Sequence, residues 1–148
     1  IDAMKQLPQH KLVLAGRVRD HAYFDQCDIE GNKQVLFVGN LPASSPILVS
    51  AYKNADVFCL PSSLETPGIA AIEAFACETP LVVTAIGSTR EYFGDAAIYI
   101  NEFSPRTIVD GLKQALVVKR ATDRTSVNVM SWGSAVARLD KLYTSMLN

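Results

Sequence analysis

Residues Asp56–Thr84 read DVFCLPSSLETPGIAAIEAFACETPLVVT. The two ends of this stretch, Asp56–Leu60 and Pro80–Thr84, are near-continuous apolar runs rich in β-branched and aromatic residues, the pattern of a strand covered on both faces. Between them Pro67–Cys77 is a helical segment apolar almost all round, with Glu73 as its single charge, and a helix of that kind is expected to be buried on all sides. A strand, loop, helix and second strand at this spacing predict a βαβ unit with parallel strands and a right-handed crossover.

Working outward, similar short runs recur at Lys11–Ala15, Gln34–Val38 and Ala96–Ile100. Segments of helical character lie between and after them, at Asp20–Glu30, Ser44–Asn54, Ser88–Phe93, Pro105–Arg120 and Ser131–Leu147. The alternation predicts an α/β fold built on a doubly wound parallel sheet. Ser104 before Pro105 reads as a helix N-cap with proline in the first turn, and Ser88-Thr89-Arg90-Glu91 has capping-box spacing. Val109, Leu112, Leu116 and Leu139, Leu142, Met146 fall at helical intervals as core stripes, and Trp132 and Tyr143 are expected to pack the last helices.

The chain has 148 residues, 14 Lys and Arg against 15 Asp and Glu, and a formal net charge of -1. Nothing in that balance holds a polyanion or an anionic membrane surface. Hydrophobic residues at 49% and charged residues at 20% place it among globular chains, and the length suits one domain spanning residues 1–148. The longest apolar run is far short of the roughly 20 residues of a membrane span. Cys27, Cys59 and Cys77 lack CxxC spacing and read as free thiols in a reducing, cytoplasmic compartment. Ile1–Leu7 reads as the tail of a helix entering Pro8, and the absence of a starting Met suggests a piece of a longer protein.

In open parallel sheets ligands bind at the carboxyl ends of the strands, so the loops Gly16–Asp20, Gly39–Ser45, Pro61–Pro67 and Ala85–Ser88 matter most. In the third, Thr66 is the expected N-cap and Pro67 the first helical residue, leaving the Gly68 and Ile69 amides at the positive end of the helix. Such an end suits a phosphate, and glycine at 68 admits a close approach. Glu73 lies about 10 Å along the axis, at ~1.5 Å per residue, and a carboxylate there can accept two vicinal hydroxyls, as on a ribose. Its other readings are a pair with an internal Lys or Arg, or exposure to solvent.

Glu65 and Glu73 enclose seven residues in an E-x7-E pattern, and the stretch from Asp56 to Val83 resembles the donor-binding segment of retaining GT-B glycosyltransferases of family 4. Val35–Gly39 resembles the family's preceding strand and loop, Ala51-Tyr52-Lys53-Asn54-Ala55-Asp56 its Y-x-x-A-D approach, Gly87–Glu91 its Gly-Gly-x-x-Glu turn and Ser131-Trp132 the start of its last helix. The resemblance implies a Rossmann-like domain, the C-terminal half of a GT-B enzyme, with the first strand and the diphosphate-neutralising Arg and Lys upstream of Ile1. It implies that Glu73 holds the ribose hydroxyls and that Glu65, the catalytic candidate, contacts the donor sugar. Thr66, Gly68 and Ile69 would lie at the diphosphate or sugar, and Gly39, Asn40 and Leu41 beside the base.

The donor is expected to be a UDP-, GDP- or ADP-linked sugar, with no metal or further cofactor. The partner is an N-terminal acceptor domain, through which alone a membrane would be met, and the 148 residues by themselves are expected to be inactive. Polysaccharide or glycolipid assembly is the family's usual setting. Two departures stand out: Thr66-Pro67-Gly68 replaces Gly-Phe-Gly and loses an N–H donor to proline, and Glu78 replaces a glycine at the helix C-cap. Arg17, Arg19, Arg90, His10 and His21 read as solvated or capping residues rather than ligand contacts. Alternatives left open are a GT-B epimerase or polymerase half and a non-catalytic nucleotide-binding or interaction domain.

Overall fold

The computed structural model describes residues 1–27, 32–43, 45–66, 68–101, 104–117 and 131–147. After a 3-10 turn at Asp2–Gln6, the chain alternates β1 (Leu12–Leu14), α1 (His21–Gln26), β2 (Val35–Phe37), α2 (Pro46–Asn54), β3 (Phe58–Leu60), α3 (Ile69–Ala76), β4 (Leu81–Thr84), α4 (Thr89–Phe93) and β5 (Ala97–Ile100). Two longer helices follow, α5 (Pro105–Val117) and α6 (Trp132–Met146). Every expected strand is present, trimmed by one or two residues at an end. The expected extensions to residues 28–30, 44, 67 and 118–120 lie outside the described residues.

All strand pairings are parallel, in two sets: β1 with β2, where Val13 is opposite Leu36, and β3–β4–β5, where Val82 is opposite both Cys59 and Ile98. In the doubly wound order 3-2-1-4-5-6 these sets correspond to positions 3-2 and 4-5-6. No strand among the described residues holds the position between them.

β4 is the centre of the molecule. Leu81, Val82, Val83 and Thr84 are 2%, 0%, 0% and 0% exposed, because both faces of the strand are covered. On one face Leu81 and Val83 pack with Tyr52 of α2, Ala71, Ala74 and Phe75 of α3, and Phe93. On the other, Val82 packs with Ile100 and with Ala115 of α5, flanked by Cys59, Ile108 and Leu112. Gly111 lets α5 lie close: a Cβ there would fall 2.6 Å from Ile100 Cγ2 and 3.2 Å from Val82 Cγ1. The same helix packs against the 3-10 turn at Asp2–Gln6 and so ties the start of the chain to the three-stranded set. Gln34 closes that end, its side-chain NH2 donating to the carbonyls of Met4, Leu7 and His10 at 3.1, 2.8 and 3.1 Å.

Three expectations change. α3 is not buried all round: Ala71, Ala74 and Phe75 face the sheet, while Ile69 is 68% exposed. Ser88 stands at the N-cap of α4 but makes no side-chain cap bond, because its backbone (φ -91°, ψ 7°) is not in the extended conformation from which a serine hydroxyl reaches the first-turn amides. The stripe on α6 is not core. Trp132, Leu139, Leu142, Tyr143 and Met146 are 88%, 47%, 54%, 57% and 74% exposed, because helical periodicity marks an apolar face without supplying what covers it. The α5 stripe does hold, with Val109 buried and Leu112 and Leu116 half-buried, as does the Ser104–Pro105 start, where Ser104 Oγ accepts from Thr107 N at 3.4 Å.

Candidate functional site

The loops after β3 and β4 meet at the carboxyl edge of the three-stranded set. Thr84, the last residue of β4, donates its hydroxyl to the carbonyl of Ser62 at 2.8 Å, locking the two loops together. Beyond it, Gly87 (φ +67°) lies so close to Glu65 that a Cβ there would run into the Glu65 carbonyl oxygen. Only glycine serves both the backbone angle and the contact. The Glu65 side chain turns back over Gly68, where a Cβ would be 3.3 Å from Glu65 Oε2 and 3.6 Å from Leu60 Cδ2. Glu65, Gly68 and Gly87 thus form one group, with Glu65 half-buried at its centre.

Gly68, not Thr66, caps α3. Its left-handed conformation (φ +73°, ψ +65°) turns the chain into the helix, and no side chain caps it. Thr66 is an exposed bend residue two positions upstream of the cap, and Pro67 lies outside the described residues. The N–H groups of Ala71 and Ile72 both donate to Gly68 O, at 2.9 and 3.1 Å. The Ile69 and Ala70 amides therefore stand at the open, positive end of the helix.

One and a half turns on, Glu73 is half-buried on the flank of α3. Among the described residues it pairs with neither Lys nor Arg: Oε2 accepts a hydrogen bond from the Tyr52 hydroxyl at 3.0 Å. Tyr52 is 9% exposed at the end of α2, its ring edge-on to Phe58 with centroids 5.7 Å apart, and its carbonyl accepts from the buried Thr79 hydroxyl at 2.6 Å. Burial first, then the bond to and the charge on Glu73, push the phenol well above its ordinary pKa, so it remains a donor throughout the neutral range. The motif reading places Tyr52 in a Y-x-x-A-D approach and gives it no chemistry. A tyrosine in the last turn of one helix and a lone carboxylate in the next apolar helix are the only trace of this bond in the sequence.

The remaining candidates sit apart from this group. Gly39 (φ +68°) opens the loop after β2, its carbonyl accepting from Gly16 N at 2.8 Å, so the loops carrying Arg17, Arg19, Asn40 and Leu41 are joined at the carboxyl edge of the two-stranded set. Asn40, Arg17 and Arg19 are exposed and Leu41 is half-buried. Arg90 is taken up elsewhere, its guanidinium carbon 4.2 Å from the centroid of the Tyr99 ring. Burial pushes the Cys59 thiol up to about 11, which leaves it unreactive at neutral pH. Among the described residues no three His, Cys, Asp or Glu side chains are placed to hold a metal ion. No helix among them is long and apolar enough to cross a membrane. An open groove of about 340 Å³, lined in part by Phe75, Glu78, Asp95 and Gln114, lies at the opposite, amino edge of β4 and β5, away from Glu65 and Glu73.

A D-inositol 3-phosphate glycosyltransferase of Thermomonospora curvata is 30% identical over 111 residues, 70% of this chain and 26% of that protein. An uncharacterised glycosyltransferase of Methanocaldococcus jannaschii is 35% identical over 119 residues, 76% of this chain and 30% of that protein. The chain thus spans less than a third of the length of these relatives. In fold it is similar to a sucrose-phosphate synthase of Thermosynechococcus elongatus (TM-score 0.80, 24% identity, 99% of this chain and 41% of that one). A second likeness is to the Anabaena protein HepE, solved in complex with UDP and glucose (TM-score 0.66, 13% identity, 98% of this chain and 43% of that one). The sequence pattern of the family described as Glycosyl transferases group 1 matches residues 1–129. This chain belongs to that glycosyltransferase family.

Proposed function

We propose that these residues form the donor-binding half of a retaining glycosyltransferase, which moves a sugar from a nucleotide diphosphate to an acceptor held by a domain outside them. The observation that carries the reading is the pair of half-buried carboxylates on either side of an open helix end. Glu65 is seated on Gly68 and Gly87 before α3, and Glu73 is fixed on its flank. Glu65 meets the hydroxyls of the donor sugar, and Glu73 accepts from the ribose. The Gly68, Ile69 and Ala70 backbone, with Thr66 beside it, faces the diphosphate, and Gly39–Leu41 flank the base. The reaction loads negative charge onto the leaving diphosphate, and amides already aimed from a helix end stabilise that charge without reorganising. No metal enters this scheme. HepE, solved with UDP and glucose, supports a donor of this class.

The test is calorimetric titration of the chain with UDP, GDP and ADP and their sugar conjugates. One nucleotide binding selectively is the expected result. Glu73→Ala, which removes a charged acceptor worth about 1.5–3 kcal/mol, weakens it roughly 10- to 100-fold with the fold retained. Equal binding by the variant would remove Glu73 from the site.

A further inference from the structure

Tyr52 lies in the core, not in a cleft, yet its only polar side-chain atom reaches a residue of the binding site. A glutamate on a helix flank has three rotatable bonds and loses rotamer freedom when it must hold one geometry for a ligand. Here that freedom is already restricted. The Tyr52 ring is wedged against Phe58, its backbone is held by Thr79, and its hydroxyl fastens one carboxylate oxygen of Glu73 at 3.0 Å. Since an ionised carboxylate is an acceptor only, Oε1 and the second lone pair of Oε2 remain for hydroxyl donors.

We propose that Tyr52 is a positioning residue that presets Glu73 to select a vicinal diol, and so makes the site discriminate a ribonucleotide from its 2′-deoxy counterpart. This rests on the assignment of Glu73 to the ribose. The phenol touches no substrate; it lowers the ordering cost of the carboxylate that does. The vicinal diol gains most, because both of its hydroxyls must meet a carboxylate held in one orientation. A 2′-deoxy ribose, with one hydroxyl, can follow a carboxylate that has swung away.

The experiment measures the affinity of UDP, GDP and ADP, and of the 2′-deoxy form of whichever binds, for the unmodified chain, Tyr52→Phe and Glu73→Gln. Tyr52→Phe keeps the ring and its contact with Phe58 and leaves the Glu73 oxygen to water, so the fold is retained and is followed by thermal unfolding. Its ribonucleotide affinity falls about five- to tenfold, the size of one lost hydrogen bond, while 2′-deoxy binding stays within about twofold. The ribo-to-deoxy ratio therefore collapses, which a merely structural role, weakening both ligands alike, does not produce. Glu73→Gln, whose amide oxygen still accepts from Tyr52, lowers the same ratio. An unchanged ratio in Tyr52→Phe with a lowered one in Glu73→Gln overturns the role of Tyr52 and leaves the site standing. Unchanged ratios in both, or no nucleotide bound at all, overturn the assignment of Glu73 and this inference with it.

Discussion

Gly87 is the residue on which the Glu65 loop rests. Its φ of +67° lies where a side chain is strained, and a methyl group would collide with the Glu65 carbonyl, a backbone atom that cannot rotate away. Gly87→Ala is expected to lower stability by about 1–3 kcal/mol and to weaken donor binding further by displacing Glu65, read by urea unfolding and calorimetry on the same sample. Glu65, Glu73 and Gly68 are legible in the sequence because their spacing around an apolar helix is a local pattern. Tyr52 is not, because its bond to Glu73 spans 21 residues and depends on how α2 packs on α3. The same buried groups set an alkaline limit. Cys59, raised from 9.0 to about 11, and Tyr52, raised from 10.0, bind protons more tightly folded than unfolded. Their contribution is full below about pH 9 and is lost as pH rises first through the Cys59 range and then above pH 10. Urea midpoints measured from pH 8 to 11 are expected to decline across that window, and Cys59→Ala to flatten its lower part.

Among the elements, α3 shows how far local rules reach. Its apolar run fixes that it is a helix, and its end follows a known pattern: Thr79 N donates to Ala74 O at 3.1 Å and Glu78 N to Phe75 O at 2.9 Å, a Schellman closure. The position that must turn left-handed is Glu78, with φ +63°, the one non-glycine described residue there. A side chain costs about 1–2 kcal/mol in that region, and glycine gives part of it back in unfolded-chain entropy. Glu78→Gly is accordingly expected to raise stability by about 0.5–1 kcal/mol, seen as a higher melting temperature with donor affinity untouched, since Glu78 lies at the amino edge of the sheet. The start of α3 escapes the same rules. Thr66 has the residue type of an N-cap, but the tight seat of Glu65 against Gly68 and Gly87 is a tertiary contact, and it moves the cap to a left-handed glycine. α6 fails as core for the converse reason, its periodic stripe having no covering surface among the described residues.

At the scale of the whole molecule, the strand count, their parallel pairing and the α/β class all follow from the apolar runs, whereas the division into two strand sets does not. That division is a matter of which edges pair, and hydrophobic pattern is silent on it. What joins the sets on one side is α5, which lies on β4 and β5 and also reaches the 3-10 turn at Asp2–Gln6, where Ala3, Met4 and Leu7 are buried. Its approach depends on Gly111. By helix propensity alone Gly111→Ala gains about 1 kcal/mol. Against that, the new methyl would sit 2.6 Å from Ile100 Cγ2 and 3.2 Å from Val82 Cγ1, and neither branched side chain has a free rotamer in so packed a layer. Overpacking of this kind costs about 1–3 kcal/mol, so the net sign is destabilising by about 0–2 kcal/mol. Because α5 spans both the sheet and the start of the chain, the expected signature is wider than a lowered urea midpoint: faster amide exchange at Leu12 and Leu14, which the substitution does not touch, together with β4. Exchange quickened in β4 and β5 alone would mean that the two-stranded set is held independently of α5.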